Sequence, residues 1–192
     1  MTTRRDFLKT MTMASAGLAL GAGDVLANPT FASQRKITDK VKIAYIGIGN
    51  RGEQIIGDFA RTGMVEVVAL CDVDMGAPHT QKVMNLYPKA KRFRDFRQMF
   101  DKAGNEFDAV AIATPDHSHF PISMLALASG KHVYVEKPLA RTFYEGELLM
   151  QAALKRPNLV TQVGNQGHSE ANYFQFKAWM DAGIIKDVTA VT

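Results

Sequence analysis

Residues 41–52 read Val-Lys-Ile-Ala-Tyr-Ile-Gly-Ile-Gly-Asn-Arg-Gly, and few folds accommodate such a passage. A short apolar run, Val41 to Ile46, reads as a buried strand that stops at a glycine. The following segment, 53–61, places Ile55, Ile56 and Phe59 on one helical face. Between them, Gly47, Gly49 and Gly52 form G-x-G-x-x-G in the strand-to-helix setting the motif requires. The first glycine permits the tight turn, the second lets backbone approach a pyrophosphate, and the third lets helix pack close to strand. Asn50 and Arg51 sit in the same turn, where the helix N-terminus offers free N–H groups to an anion.

A second β-branched run, Val65–Cys71, ends at Asp72, about twenty residues beyond Gly52. A carboxylate there accepts hydrogen bonds from an adenosine ribose and repels a 2′-phosphate, which favours NAD over NADP. Arg51 tempers this, because an arginine beside the loop can serve a phosphate. The bland alternative is a glycine-rich turn that binds something else.

Strands and helices then alternate. A helix is predicted over about 77–86, and another is capped by Asp95 and carries Phe96, Met99 and Phe100. Phe107–Ala113 is a third strand, stopped near Pro115. An apolar helix over 120–129 closes at Gly130. His132–Val135 is a fourth strand, Thr142 caps a helix to about 155, and Leu159–Val163 is a fifth strand. Nearly continuous apolar strands separated by helices indicate a doubly wound parallel sheet of the Rossmann type, covered on both faces. The basic cluster Lys89, Lys91, Arg92, Arg94 and Arg97 reads as a solvated surface.

Two phrases fall at strand ends that should face the ligand crevice. Thr114-Pro115-Asp116-His117-Ser118-His119 follows the third strand. It reads as a cofactor-facing loop, with Thr114 and His119 near the nicotinamide half. A helix cap by Asp116 or Ser118 is the structural alternative. No third metal ligand stands at a fitting spacing, so no metal is expected. Glu136-Lys137-Pro138 follows the fourth strand. Buried charges must be paired or open to a crevice. Lys137 can therefore hydrogen-bond a substrate hydroxyl and favour loss of its proton. A surface salt bridge at a strand end is the competing reading. Pro138 restricts Lys137 to extended geometry.

The GIGNRG loop, Asp72, ATPDHSH (residues 113–119) and VEKPLA (residues 135–140), in that order, resemble the Gfo/Idh/MocA oxidoreductases. Gly164-Asn165-Gln166-Gly167-His168 and the helix ending at Asp181 are similar to that family's crossover into its second domain. The resemblance covers roughly residues 40–192. It implies an NAD(P)-binding domain over 38–163, and over 164–192 the beginning of an α+β substrate domain built on an open sheet. It also implies hydride transfer at a sugar, polyol or related CH–OH carbon. By carry-over, Lys137 is catalytic, and Pro115, His119, Glu136, Lys137 and Asn165 join the cofactor-binding set. Family members run well past the length of this chain, so a strand from Asp187 to Thr192 is expected to open the second domain and the other catalytic residues to lie beyond it. The chain alone is expected to bind NAD without turning over substrate, and any homo-oligomer to form through the second domain.

Two other functions compete: a glycoside hydrolase that uses NAD transiently, and a non-catalytic NAD-binding subunit or sensor. The hydrolases of this superfamily tend to vary the Glu-Lys-Pro phrase, which ranks that reading lower.

The N-terminus adds an address. Arg4-Arg5-Asp6-Phe7-Leu8-Lys9 resembles a twin-arginine (Tat) export signal, and residues 10–23 supply a short, weakly apolar region unsuited to a stable membrane anchor. Val25-Leu26-Ala27 offers a peptidase site, with a second candidate near Ala32. Residues 1–33 are thus expected to be a signal and linker read by the Tat machinery, and the protein to be periplasmic or otherwise exported. Tat carries folded cargo, which suits a domain that must keep hold of its NAD. The net charge of +4 is too mild to argue for nucleic acid, and the single Cys71 permits no internal disulfide.

Overall fold

The computed structural model describes residues 40–190, so the expected signal peptide and residues 191 and 192 lie outside the described part. The elements, in chain order, are β1 (Val41–Ile46), α1 (Arg51–Arg61), β2 (Val65–Cys71), α2 (Pro78–Leu86), β3 (Lys91–Phe93), α3 (Phe96–Ala103), β4 (Ala109–Ile112), α4 (His119–Ala128), β5 (His132–Glu136), α5 (Phe143–Leu154), β6 (Thr161–Gly164) and α6 (Ala171–Asp181). The strands form one six-stranded sheet in the order β3-β2-β1-β4-β5-β6. Every pairing is parallel. The order reverses between β1 and β4, and a doubly wound sheet opens its ligand crevice at that reversal.

The continuous apolar strands are explained by burial on both faces. Ala44, Ile46, Cys71, Val110 and Ile112 pack with Met99, Ile122, Ala126 and Leu127 from α3 and α4. The alternate residues Ile43, Tyr45, Leu70 and Ala111 pack with Ile55 and Ile56 from α1 and with Val83 and Met84 from α2. Successive side chains of one strand therefore serve two cores.

Capping follows the sequence. Asp95 accepts a hydrogen bond from the Arg97 N–H at the start of α3. Thr142 and Glu145 form a reciprocal capping box on α5. Gly130 closes α4 with φ of 71°. Two expectations differ. The basic cluster was expected to be solvated helix and loop, yet Lys91–Phe93 pairs with Ala69–Cys71 as a sixth, edge strand. Three residues, two of them charged, carry no apolar run, so backbone pairing rather than burial makes this strand. Asp187–Ala190 has no regular structure, because no partner strand stands beside it among the described residues.

Candidate functional site

Register places the site. Ile46 stands opposite Cys71 on one side and Ile112 on the other, and Ile112 opposite Val135. One step further toward the carboxyl ends, the chain reaches Asp72, Gly47, Ala113, Glu136 and Gly164 in neighbouring positions. The sheet therefore delivers the five strand-end phrases singled out in the sequence to one rim.

Gly47 takes φ of 78°, and a Cβ there would lie 2.6 Å from the Ala113 carbonyl oxygen. A Cβ on Gly52 would run into the carbonyl oxygen of Gly47, and one on Gly49 into the His79 ring. Each glycine is fixed by a close approach as well as by its turn. Asn50 adopts φ of 47°, a left-handed conformation that Asn tolerates better than most residues.

A cavity of about 660 Å³ opens beside this loop. Gly47, Gly49, Asn50, Asp72, Thr114 and Pro115 line it. The Asp72 carboxylate is held on both oxygens: Oδ2 accepts the Ile48 N–H at 2.9 Å and Oδ1 the Asp74 N–H at 2.9 Å. A carboxylate accepts about four hydrogen bonds, so acceptor capacity remains for a ribose. The Thr114 hydroxyl is buried with no partner among the described residues. Such an orphan on a cavity wall marks a place where a ligand completes the hydrogen bonding. The glycine cradle, the fixed carboxylate and the orphaned hydroxyl together fit a dinucleotide.

His79, Arg94, Arg97 and His117 also line the cavity. Sequence reasoning gave His79, Arg94 and Arg97 no place in the site, and reached His117 only as part of the loop Thr114–His119. Arg94 and Arg97 belong to the cluster read as surface, and a charge run carries no signal of which way it points. Cys71 lines it too, and burial, with Asp72 and Asp95 nearby, pushes its thiol up to about 12.

The remaining site residues form a second constellation, outside that cavity lining. Glu136 is 4% exposed and accepts hydrogen bonds from Arg51 Nη2 (3.1 Å), the Tyr134 hydroxyl (3.2 Å) and Gln166 Nε2 (3.2 Å). Arg51, which the sequence offered to a phosphate, is instead spent on Glu136 and Gln54. The Tyr134 phenol is raised by burial and by the Glu136 carboxylate, with Arg51 partly offsetting them. Tyr134 precedes Glu136 by two residues, so both project from one face of β5. Gly164 leaves them room: a Cβ there would stand 2.5 Å from the Tyr134 hydroxyl and 2.6 Å from Glu136 Oε1. Lys137 is exposed, follows a buried carboxylate, and joins Pro138 through a cis peptide bond. It has no hydrogen-bond or ion-pair partner among the described residues. His119 is only 1% exposed and turns its ring to two backbone carbonyls rather than to the cavity. Asn165 is exposed just beyond β6.

Residues 41–164 match an oxidoreductase family with an NAD-binding Rossmann fold. The chain belongs to the Gfo/Idh/MocA oxidoreductase family. Inositol 2-dehydrogenase of Salmonella typhimurium is 29% identical over 147 residues, which are 76% of this chain and 43% of that protein. Alpha-N-acetylgalactosaminidase of Shewanella oneidensis is 31% identical over 161 residues, 74% of this chain and 35% of that protein. Among solved structures, scyllo-inositol dehydrogenase from Lactobacillus casei with bound NAD(H) and scyllo-inositol superposes with a TM-score of 0.68 at 27% identity, covering 79% of this chain and 44% of that one. The chain thus spans less than half the length of the relatives it matches. Residues 41–164 are the stretch that matches the NAD-binding Rossmann fold, and the glycine loop, Asp72 and Thr114 within it are residues that could hold a dinucleotide.

Proposed function

We propose that the protein is an NAD-dependent oxidoreductase acting on the CH–OH carbon of a polyol or sugar, with Lys137 as the group that takes or returns the hydroxyl proton. The observation that carries this reading is the strand-end arrangement on β5. Glu136 is locked by three hydrogen bonds. The next residue, Lys137, is left exposed at the strand end adjacent to the loop of Thr114. NAD, when bound, supplies a hydride acceptor or donor. The protein's own residues do the rest: the glycine loop and Asp72 orient the dinucleotide, Thr114 offers its free hydroxyl, and Lys137 stabilises the oxygen that loses its proton. Asp72 supports NAD over NADP, because its carboxylate would face a 2′-phosphate. The likeness to an inositol 2-dehydrogenase and to NAD(H)-bound scyllo-inositol dehydrogenase supports a polyol or sugar as substrate.

A second reading has its own support. The similarity to an alpha-N-acetylgalactosaminidase is as high as that to the dehydrogenase. Transient oxidation and elimination would cleave a glycosidic bond with the same NAD half. The test gives the complete protein a panel of inositols, hexoses and aryl glycosides, following NADH absorbance and aglycone together. Stoichiometric NADH supports the oxidoreductase. Aglycone without net NADH replaces it with the hydrolase. In the same assay Lys137→Ala should lose at least a hundredfold in turnover, on the order of a lost general acid–base group, while keeping NAD affinity. An unchanged rate would remove Lys137 from the reaction.

Export is proposed with it, on the strength of Arg4 and Arg5 ahead of a weakly apolar stretch. Cell fractionation of a variant with both arginines changed to lysine should leave the protein in the cytoplasm, and unchanged distribution would refute the signal.

A further inference from the structure

Two loops at the rim must keep a fixed separation if the proposed reaction is right. One follows β4 and carries Thr114; the other follows β5 and carries Lys137. The strands beneath them pair in register, Ile112 opposite Val135, but the loops themselves leave the ladder. His119, the first residue of α4, stands between them. Its Nδ1 lies 2.6 Å from the Pro138 carbonyl oxygen and its Nε2 2.8 Å from the Thr114 carbonyl oxygen. Both partners are acceptors. A neutral imidazole donates at one nitrogen and a protonated one at both. A protonated ring therefore donates to both carbonyls and ties the two loops; a neutral ring ties them only when its proton is on Nδ1, facing Pro138, because Thr114 lies on the segment that leads into α4. At 1% exposure, water does not compete for these contacts.

We propose that His119 is a positioning residue: its imidazole bridges the Thr114 and Pro138 carbonyls and sets how far Lys137 stands from the dinucleotide crevice. The part of this that concerns Lys137 rests on the proposed oxidoreductase reading; the bridge itself does not. Fixing the Thr114 carbonyl orients that peptide, and with it the unpartnered Thr114 hydroxyl on the cavity wall. Fixing the Pro138 carbonyl holds the residue after Lys137. The ionisable residues on the two tied loops are Asp116, His117, Glu136 and Lys137. Of these, Glu136 is already committed to Arg51.

The test compares the wild-type chain with His119→Phe, which keeps a ring and loses both nitrogens, and with His119→Gln, whose amide can donate again. NAD⁺ is titrated calorimetrically, and backbone hydrogen exchange is read at the two loops and in the strands. The expected result is NAD⁺ binding about tenfold weaker in the Phe variant, the scale of one lost buried hydrogen bond, with partial recovery in the Gln variant. Exchange should quicken around Thr114 and Lys137 while Val110 and Val133 stay protected. Equal affinity in all three proteins, or exchange quickened evenly across the sheet, would overturn the proposal. If the Phe variant does not fold, the wild-type ring decides. A slowly exchanging Nδ1–H in a ¹⁵N spectrum supports the bridge; protection at Nε2 alone, or ring protons exchanging as in free imidazole, refutes it. Neither readout needs turnover, so loss of the oxidoreductase reading and loss of the bridge would be seen separately.

Discussion

Replacing Gly164 by alanine tests the Glu136 constellation with a single methyl group. The added Cβ would stand 2.5 Å from the Tyr134 hydroxyl and 2.6 Å from Glu136 Oε1, where ordinary contact begins at 3.4 Å. Both oxygens must therefore retreat by nearly an ångström. Neither is free to do so, because they are bonded to each other at 3.2 Å and Glu136 also holds Arg51 and Gln166. Hydrogen bonds to a charged group contribute about 1.5–3 kcal/mol each. Losing one and stretching another should cost about 2–4 kcal/mol of stability, in line with disturbance of a buried pair. The cycle is completed by Tyr134→Phe, which removes the nearer obstacle. In that background the alanine should cost about 1–2 kcal/mol less, since residues in contact are coupled. Urea unfolding of the four proteins, with NAD affinity measured alongside, supplies the numbers. A cost below about 0.5 kcal/mol, the range of an ordinary surface change, would refute the reasoning. So would the same cost in both backgrounds, because the clash would then lie elsewhere.

Other outcomes follow from the same geometry. Asp72→Ala removes both the proposed ribose acceptor and the clasp on the Ile48 and Asp74 amides, so NAD should bind on the order of a hundredfold more weakly, with a smaller preference over NADP; titration with each nucleotide checks this. Stability should decline in alkali. Cys71 ordinarily titrates at 9.0 and is pushed up to about 12 in the fold, so the folded chain holds a proton that the unfolded chain releases between those values. Its contribution is complete below pH 9 and drains away above it, a thermal-melting series that Cys71→Ala should flatten in part. Thr142→Ala breaks the capping box of α5 and should cost about 1 kcal/mol by urea unfolding.

The fold was legible because its signals are local. An apolar run, a glycine turn and a capped amphipathic segment declare themselves within a dozen residues, and the sheet order then follows from doubly wound connectivity. The short strand Lys91–Phe93 left no such trace, since an edge strand is made by its neighbour's backbone. At the site, the sequence picked out residues that the sheet brings to one rim but did not sort them. Six of the residues singled out in the sequence, Gly47, Gly49, Asn50, Asp72, Thr114 and Pro115, share the cavity wall because each ends or follows a central strand. Arg51, Glu136 and His119 were grouped with them by proximity in motif. Their side chains are instead turned to a carboxylate, three donors and two carbonyls. Side-chain direction depends on partners up to 85 residues away, as between Arg51 and Glu136. No local pattern encodes that.

The position of β1 bears on how the chain is made. Val41–Ile46 lies in the middle of the sheet, yet its two neighbours emerge from the ribosome far apart: β2 soon after it, and β4 only once Ile112 has been synthesised. Pairing with β2 can begin early, while the other edge of β1 waits, bare and apolar, for the intervening residues to arrive. Contacts of such separation slow folding and lengthen the time in which an unpaired strand can meet another chain. Nascent chains stalled between β2 and β4 should therefore be the most prone to aggregate, and the most dependent on a chaperone, of any along the sequence.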